Sequence, residues 1–198
     1  PGWSMAKSVL NAFIGILVRE KRLSLKDTAV LPQWQVPDPR SAITIEDLLR
    51  MRSGLKFSEV YSDFSSDVVE MLFNQPDSAG YAASQPLAFP PGATWSYASG
   101  TTNILSAIVR RAVGDEYLDW PRRVLFDPLE MTSAILEPDA SGTFVCSSFM
   151  LATARDWSRF GELFLYDGVW NGRRILPEGW VAYSITPTPQ SPDGKFGA

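Results

Sequence analysis

The sequence has no histidine and only one cysteine, Cys146. A Ser-His-Asp triad, a Cys-His pair and a zinc site built on His or Cys clusters therefore cannot form within this chain. A single cysteine also excludes an internal disulfide, although that says little about the cellular compartment. If the chain is an enzyme, another type of side chain must act as its base.

Positive charge and long apolar runs are also scarce. The 18 lysines and arginines are outnumbered by 22 acidic residues, which gives a net charge of −4. The arginine pairs are scattered, so no basic face is expected and nucleic acid is not an expected partner. The longest apolar run, residues 12–18, is far shorter than the ~20 residues that span a membrane.

The chain length and its first residue bear on domain organisation. The 198 residues, 45% of them hydrophobic, suffice for a sizeable core. The chain begins at Pro1 without an initiator methionine and is interpreted as part of a longer protein, so a signal peptide would lie outside it. Both periplasm and cytoplasm therefore stay open as compartments.

Apolar spacing predicts four helices in a mostly helical chain. The first covers residues 4–22, and a short second helix starts at the Thr44 cap, with an acid three residues on, and is closed by Gly54. A third stripe starts at Ile104 and stops at Gly114. Thr153 caps the fourth helix.

Prolines, glycines and weak strand signals mark the remaining segments. Three prolines in residues 31–40 exclude regular structure, and residues 74–92 are predicted to be a long loop. Strand signals are limited to residues 143–146 and to residues 174–176, which follow an Asn-Gly turn.

The absence of histidine directs the search for a nucleophile to Ser-x-x-Lys, in which a lysine removes the hydroxyl proton. The spacing occurs twice, at Ser4–Lys7 and Ser53–Lys56. Lys7 lies in helical register with the buried stripe, where burial would lower its pKa from about 10.4. Ser4 lies at a helix N-terminus, which favours a developing anion. The second pair encloses Gly54, so it is assigned to helix capping.

The first pair has a purely structural alternative. Ser4 could simply cap the helix, and Lys7 could be a surface lysine whose stem lies on apolar neighbours. A second feature favours chemistry, because Tyr97 follows a Pro-Pro-Gly segment just before the third helix. If the first and third helices pack together, Tyr97 could share a proton with both residues, although a tyrosine packed in a turn is the alternative.

The order of these motifs resembles that of the serine β-lactamase-related hydrolases. This group includes class C β-lactamases, DD-peptidases, carboxylesterases and 6-aminohexanoate-dimer hydrolases. The resemblance is carried by five short segments in the same order, which span nearly the whole chain: Gly2-Trp3-Ser4-Met5-Ala6-Lys7-Ser8, Ser53-Gly54-Leu55, Tyr97-Ala98-Ser99 after a Pro-Gly, Ala154-Arg155-Asp156-Trp157, and Phe160-Gly161.

The resemblance implies a role for each matching residue. Ser4 would be the acylated nucleophile, Lys7 the base and Tyr97 the proton shuttle to the leaving group. Neither a metal nor another cofactor is expected. Ser99 stands where the family usually has Asn in Tyr-x-Asn, and together with Tyr61 it is a substrate-binding candidate. The family's Lys-Thr-Gly or His-x-Gly strand, which normally supplies part of the oxyanion hole, would lie beyond the chain.

The resemblance implies an α+β, serine β-lactamase/DD-peptidase-like fold. Residues 1–198 would be a partial catalytic domain, mostly helical, with flanking sheet strands missing at both ends. The expected function is hydrolysis of a small ester or amide through an acyl-enzyme, with a lean toward esterases and 6-aminohexanoate hydrolases. The alternatives are a β-lactamase or DD-peptidase on the same scaffold, or a catalytically idle binding or sensor domain.

Overall fold

The computed structural model describes residues 1–28 and 30–198 of the chain. The described residues form seven α-helices: α1 (Met5–Arg19), α2 (Ile45–Leu49), α3 (Asp67–Phe73), α4 (Ser78–Ser84), α5 (Ser99–Val113), α6 (Ala154–Leu165) and α7 (Trp180–Ile185). They also form four strands of two residues: β1 (Ile135–Leu136), β2 (Met150–Leu151), β3 (Val169–Trp170) and β4 (Arg173–Arg174). Shorter helical turns cover Pro39–Ala42, Gly114–Glu116, Arg122–Phe126 and Pro192–Gly194.

The first predicted helix is confirmed as α1, which ends at Arg19, three residues before the predicted end. Most of its side chains are buried in the core. The Phe13 ring meets the rings of Trp120 and Phe126 edge-on, with centroids 5.4 and 6.0 Å apart. This packing anchors α1 in the core, which matters because Lys7 lies in the first turn of α1 and Ser4 directly before it.

The third predicted helix is confirmed as α5, with Gly114 as its C-cap. It packs against α1, α2, α3 and α4, and eleven of its fifteen residues are buried. The segment that leads into α5 therefore lies beside the N-terminus of α1, which is the packing on which a role for Tyr97 depends.

The capping prediction for α2 is confirmed, but its predicted end is wrong. Thr44 Oγ1 accepts a hydrogen bond from the Asp47 amide at 3.0 Å, and the Asp47 carboxylate accepts one from the Thr44 amide at 3.2 Å. The helix ends at Leu49 rather than at Gly54. The Gly54 carbonyl instead accepts a hydrogen bond from the Phe89 amide at 3.1 Å, so this segment pairs with a distant loop.

The fourth predicted helix is confirmed as α6, in which Thr153 Oγ1 accepts from the Asp156 amide at 3.3 Å. Helix α3 was not predicted from the sequence. The prediction for residues 31–40 largely holds, although a single 3₁₀ turn begins at Pro39. Among the described residues, no helix is both long and apolar enough to cross a bilayer.

The long loop predicted for residues 74–92 is interrupted by α4. The Asp77 carboxylate accepts a hydrogen bond from the Gly80 amide at 2.8 Å and begins this helix. Its buried face is made of small residues, among them Ala79, Ala82 and Ala83. Because these side chains form no stripe of large apolar residues, the periodicity that marks other helices is missing here.

The strand predictions are only partly right. Residues 143–146 lie outside the strands found among the described residues, and Phe144 makes an isolated bridge to Pro138. The Asn171-Gly172 turn is confirmed, with φ values of +47° and +75°, but the strand after it covers Arg173–Arg174 and pairs antiparallel with β3. Strands β1 and β2 pair antiparallel without a sequence signal.

Candidate active site

Ser4 lies directly before the first turn of α1 with its side chain exposed. Trp3 has a φ of +44°, so the chain turns sharply just before the serine. The Gly2 amide donates to the Met150 carbonyl at 2.7 Å, which ties this segment to β2. The Trp157 ring of α6 packs on Gly2. Both anchors place the Ser4 hydroxyl at the positive end of the α1 dipole.

The Lys7 ammonium lies one turn along α1 and makes three hydrogen bonds. Nζ donates to Ser4 Oγ at 3.1 Å, to Ser99 Oγ at 3.2 Å and to the Ser147 carbonyl at 2.8 Å. Burial lowers the pKa of Lys7 from 10.5 to about 8, against the negative charge of Glu59, which raises it. The structure thus places Lys7 partly buried, in line with its register on the apolar stripe, and its role as a base stays a prediction.

Tyr97 approaches Ser4 from the loop before α5. Its hydroxyl donates to Ser4 Oγ at 2.9 Å, and Lys7 Nζ lies 5.1 Å from the centre of its ring. Burial raises the pKa of Tyr97, the hydrogen bond to Ser4 opposes this, and the charge of Glu59 adds to it. The phenol is therefore protonated near neutral pH and can act as a proton donor.

Ser99 is the first residue of α5 and is completely buried. Its hydroxyl faces Lys7 and also contacts the carboxylate of Glu59 at 2.5 Å. The structure thus places this substrate-binding candidate beneath Lys7, and its contact with substrate stays a prediction.

Glu59 belongs to the site, although the sequence analysis assigned it no role. Its carboxylate accepts hydrogen bonds from the Ser99 amide at 2.8 Å, from Ser99 Oγ and from the Tyr61 hydroxyl at 3.1 Å. It is partly buried. The sequence does contain one indication of its role. A lysine in a buried stripe needs a nearby negative charge, and Glu59 is an acidic residue in the segment that carries Tyr61.

Tyr61, the second substrate-binding candidate, is half exposed beside this carboxylate. Burial and the charge of Glu59 raise its pKa to about 12, so it is a neutral phenol near pH 7. The structure therefore brings all five predicted site residues into one cluster with Glu59: Ser4, Lys7, Tyr61, Tyr97 and Ser99.

The second Ser-x-x-Lys pair is not arranged for chemistry. Lys56 is exposed, and its amide donates to the Pro86 carbonyl at 2.8 Å. Ser53 is buried, and its Oγ accepts from the Leu55 amide at 3.3 Å, which closes a turn. The pair has a structural role in this turn rather than in the helix cap that the sequence predicts.

A comparison with protein families matches residues 1–195 to the family model described as Beta-lactamase. The chain belongs to the beta-lactamase family. Its fold is the serine β-lactamase/DD-peptidase-like α+β fold, of which this chain contains a mostly helical part. The family comprises hydrolases of the beta-lactamase fold, and a curated relative is named as a hydrolase.

Several relatives of this beta-lactamase-family chain are known. A curated 6-aminohexanoate-dimer hydrolase from Paenarthrobacter ureafaciens is 26% identical in a comparison that covers 90% of this chain and 48% of the relative. A penicillin-binding protein from Bacillus halodurans matches with a TM-score of 0.74 and 18% identity over 98% of this chain and 67% of that one. A D-stereospecific amidohydrolase from Streptomyces sp. has a TM-score of 0.73 and 18% identity, covering 98% and 68%. The chain thus spans about half the length of the curated relative.

The beta-lactamase-family site opens into a cavity of about 420 Å³. Its lining includes Ser4, Lys7 and Tyr97, leucines of α1, α2 and α5, and residues 196–198. A larger cavity of about 690 Å³ lies elsewhere and is lined by residues such as Arg110 and Arg111. The lining of the larger cavity contains none of Ser4, Lys7 and Tyr97, so the smaller cavity is the relevant one.

The donor groups near the site do not point to a metal. Within residues 1–28 and 30–198, the acidic and cysteine side chains form no group of three or more that could hold a metal ion. The carboxylate nearest to Lys7, that of Glu59, is already occupied by three donors from Ser99 and Tyr61.

Proposed function

We propose that Ser4 is the nucleophile of a hydrolase that acts through an acyl-enzyme, with Lys7 as the base and Tyr97 as the proton shuttle. The observation that supports this most is that Lys7 Nζ and Tyr97 Oη both bind one serine oxygen, at 3.1 and 2.9 Å. With a pKa of about 8 for Lys7, roughly one tenth of the amine is neutral at pH 7 and ready to accept a proton.

In the proposed acylation step, Ser4 Oγ attacks the carbonyl carbon of an ester or amide while neutral Lys7 takes the serine proton. The tetrahedral intermediate carries its negative charge near the N-terminus of α1. Tyr97 then donates its proton to the leaving oxygen or nitrogen and regains one from Lys7. The carbonyl bond to the leaving group breaks, and the acyl group stays on Ser4 as an ester.

Deacylation reverses these proton movements with water in place of the leaving group. Lys7 accepts a proton from water, which attacks the acyl carbon. The bond to Ser4 Oγ breaks, and the oxygen recovers a proton from the lysine.

The substrate proposed is a small ester or linear amide. The curated relative is named for the hydrolysis of a 6-aminohexanoate dimer, and a solved relative for amide hydrolysis with D-stereospecificity. Trp3, which directly precedes the serine, belongs to an aromatic cluster in which the Phe149 ring lies 6.5 Å from Trp3 and 6.3 Å from Phe73 between centroids. Trp3 and Phe73 are more than half exposed, and they offer apolar surface to an aliphatic or aryl chain.

Active-site labelling of the full-length protein tests this proposal. We expect a fluorophosphonate probe to modify Ser4 alone and Ser4→Ala to abolish both labelling and hydrolysis of p-nitrophenyl butyrate. Ser53→Ala is the matched control, because Ser53 has the same spacing to a lysine, and it should label like wild type. Labelling that persists in Ser4→Ala would contradict the assignment, and labelling without turnover would favour an idle binding or sensor domain.

A further inference from the structure

The direction of the Lys7 lone pair depends on its other two partners. A neutral amine has two N–H bonds and one lone pair, and only the lone pair can take the serine proton. The Ser147 carbonyl, 2.8 Å away, can only accept, so it takes one N–H. It is held in place because the Ser147 amide donates to Asn103 Oδ1 at 3.1 Å. Of the remaining N–H and the lone pair, one faces Ser4 and the other faces Ser99.

The hydrogen bonding of Ser99 determines whether the Lys7 lone pair faces Ser4 or Ser99, because a hydroxyl can either donate or accept. If Ser99 donated its proton to Lys7, the lone pair would point at Ser99, and Lys7 could not act as a base toward Ser4. If Ser99 accepted from Lys7, the lone pair would face Ser4 Oγ. The distances from Nζ, 3.1 Å to Ser4 and 3.2 Å to Ser99, do not by themselves choose between the two.

Glu59 determines the direction of the Ser99 hydroxyl proton. An ionised carboxylate only accepts, and its Oε1 lies 2.5 Å from Ser99 Oγ, so the single Ser99 proton is directed to Glu59. The Ser99 amide donates to Oε2 at 2.8 Å, and the Tyr61 hydroxyl donates to Oε1 at 3.1 Å. These contacts keep the carboxylate in place.

We propose that Glu59 is a positioning residue that acts through Ser99 to direct the lone pair of Lys7 toward Ser4. An asparagine at position 99 would present an amide oxygen that accepts only, and it would need no such partner. A serine there has an ambiguous hydroxyl, and Glu59 removes the ambiguity. The inference rests on the proposed role of Lys7 as the base.

Glu59→Gln gives a direct test, because it keeps the size of the side chain and removes its charge. A glutamine amide can donate to Ser99, which frees the serine proton to occupy the Lys7 lone pair. We expect kcat/KM for p-nitrophenyl butyrate to fall about tenfold to a hundredfold at pH 9.5, where Lys7 is neutral in both proteins. Exposed Glu178, replaced by Gln, is the matched control and should leave the rate unchanged.

The pH profile separates positioning from a merely structural role. The charged and titratable groups described around Lys7 are Glu59 and Tyr97, and Tyr61 donates to the same Glu59 oxygen as Ser99 Oγ. Loss of the negative charge lowers the pKa of Lys7, so the acid limb of kcat/KM should move to lower pH in Glu59→Gln. A rate loss with an unmoved acid limb would overturn the assignment.

A double-mutant cycle tests whether Glu59 acts through Ser99. Ser99→Ala removes the ambiguous hydroxyl, so adding Glu59→Gln to it should cost less than threefold at pH 9.5, well below its effect in the wild type. Equal effects in both backgrounds would overturn the proposal. Fluorophosphonate labelling of wild-type Ser4 is measured in parallel, because its absence would overturn the proposed function as well, whereas labelling with an additive cycle would overturn the inference alone.

Discussion

At the scale of single residues, the chemistry of Lys7 is set by two opposing effects. Burial removes water from the ammonium and lowers its pKa, while the negative charge of Glu59 raises it. The result, a pKa of about 8, lies where a lysine is both partly neutral at physiological pH and basic enough to take a serine proton.

The pH dependence of acylation follows from this balance. Only neutral Lys7 can act as the base, so kcat/KM should rise with pH through an acid limb centred near 8 and level off above it. Lys7→Ala should lower acylation by about 10²-fold or more and remove that limb. The measurement is the pH profile of fluorophosphonate acylation of the full-length protein. An acid limb that persists in Lys7→Ala would assign the titration to another group.

At the scale of helices, the start of α5 fixes Ser99 because α5 packs closely on its neighbours. Gly100 allows this approach, since a Cβ at this position would lie 2.7 Å from the Phe57 ring and 2.9 Å from the Ala82 side chain. Both distances are shorter than ordinary van der Waals contact. The position of Ser99 thus depends on a small residue next to it.

Gly100→Ala should therefore destabilise the protein by about 1–3 kcal/mol, because Phe57 or α5 must shift. Gly161→Ala is the matched control, since Gly161 lies in α6 and a Cβ there meets nothing within 4 Å. It should stabilise by about 0.5–1 kcal/mol through helix propensity. Urea unfolding of both variants gives the two free energies. A neutral Gly100→Ala would show that the close approach relaxes easily.

At the scale of the whole molecule, the site is assembled from segments far apart in the chain. Lys7 comes from α1, Glu59 and Tyr61 from the loop before α3, Tyr97 from the loop before α5, and Ser99 from the first residue of α5. The long-range hydrogen bond from Lys7 to the Ser147 carbonyl joins a fourth segment to them. The site can therefore form only when these helices have packed.

The same arrangement predicts the preferred substrate. The proton of Ser99 is directed to Glu59, so it is not available to the side-chain carbonyl of an acylamino-substituted β-lactam. A buried polar group left without a partner costs roughly 1–3 kcal/mol, or about tenfold to a hundredfold in selectivity. We expect kcat/KM of the full-length protein to be higher for p-nitrophenyl butyrate than for nitrocefin. An equal or higher value for nitrocefin would instead favour a β-lactamase.

Much of this protein could be predicted from local sequence. The α1 stripe, the Thr44 and Thr153 caps and the Asn171-Gly172 turn depend on neighbours within four residues. The spacing of Ser4 and Lys7 is of the same kind, because one helical turn places the two side chains together whatever surrounds them. The absence of histidine had already restricted the base to another residue type.

Only the tertiary structure decided the rest. Helix α4 depends on small side chains that acquire a buried face through α5, and β1 pairs with β2 across thirteen intervening residues or more. Glu59 is an ordinary surface-type residue in the sequence, and it joins the site only because α5 brings Ser99 to its carboxylate. Such contacts join residues that are distant in the chain, so no periodicity or spacing in the sequence indicates them. The Ser-x-x-Lys spacing was therefore enough to locate the Ser4–Lys7 pair, whereas the groups that orient Lys7 are brought to it only by tertiary packing.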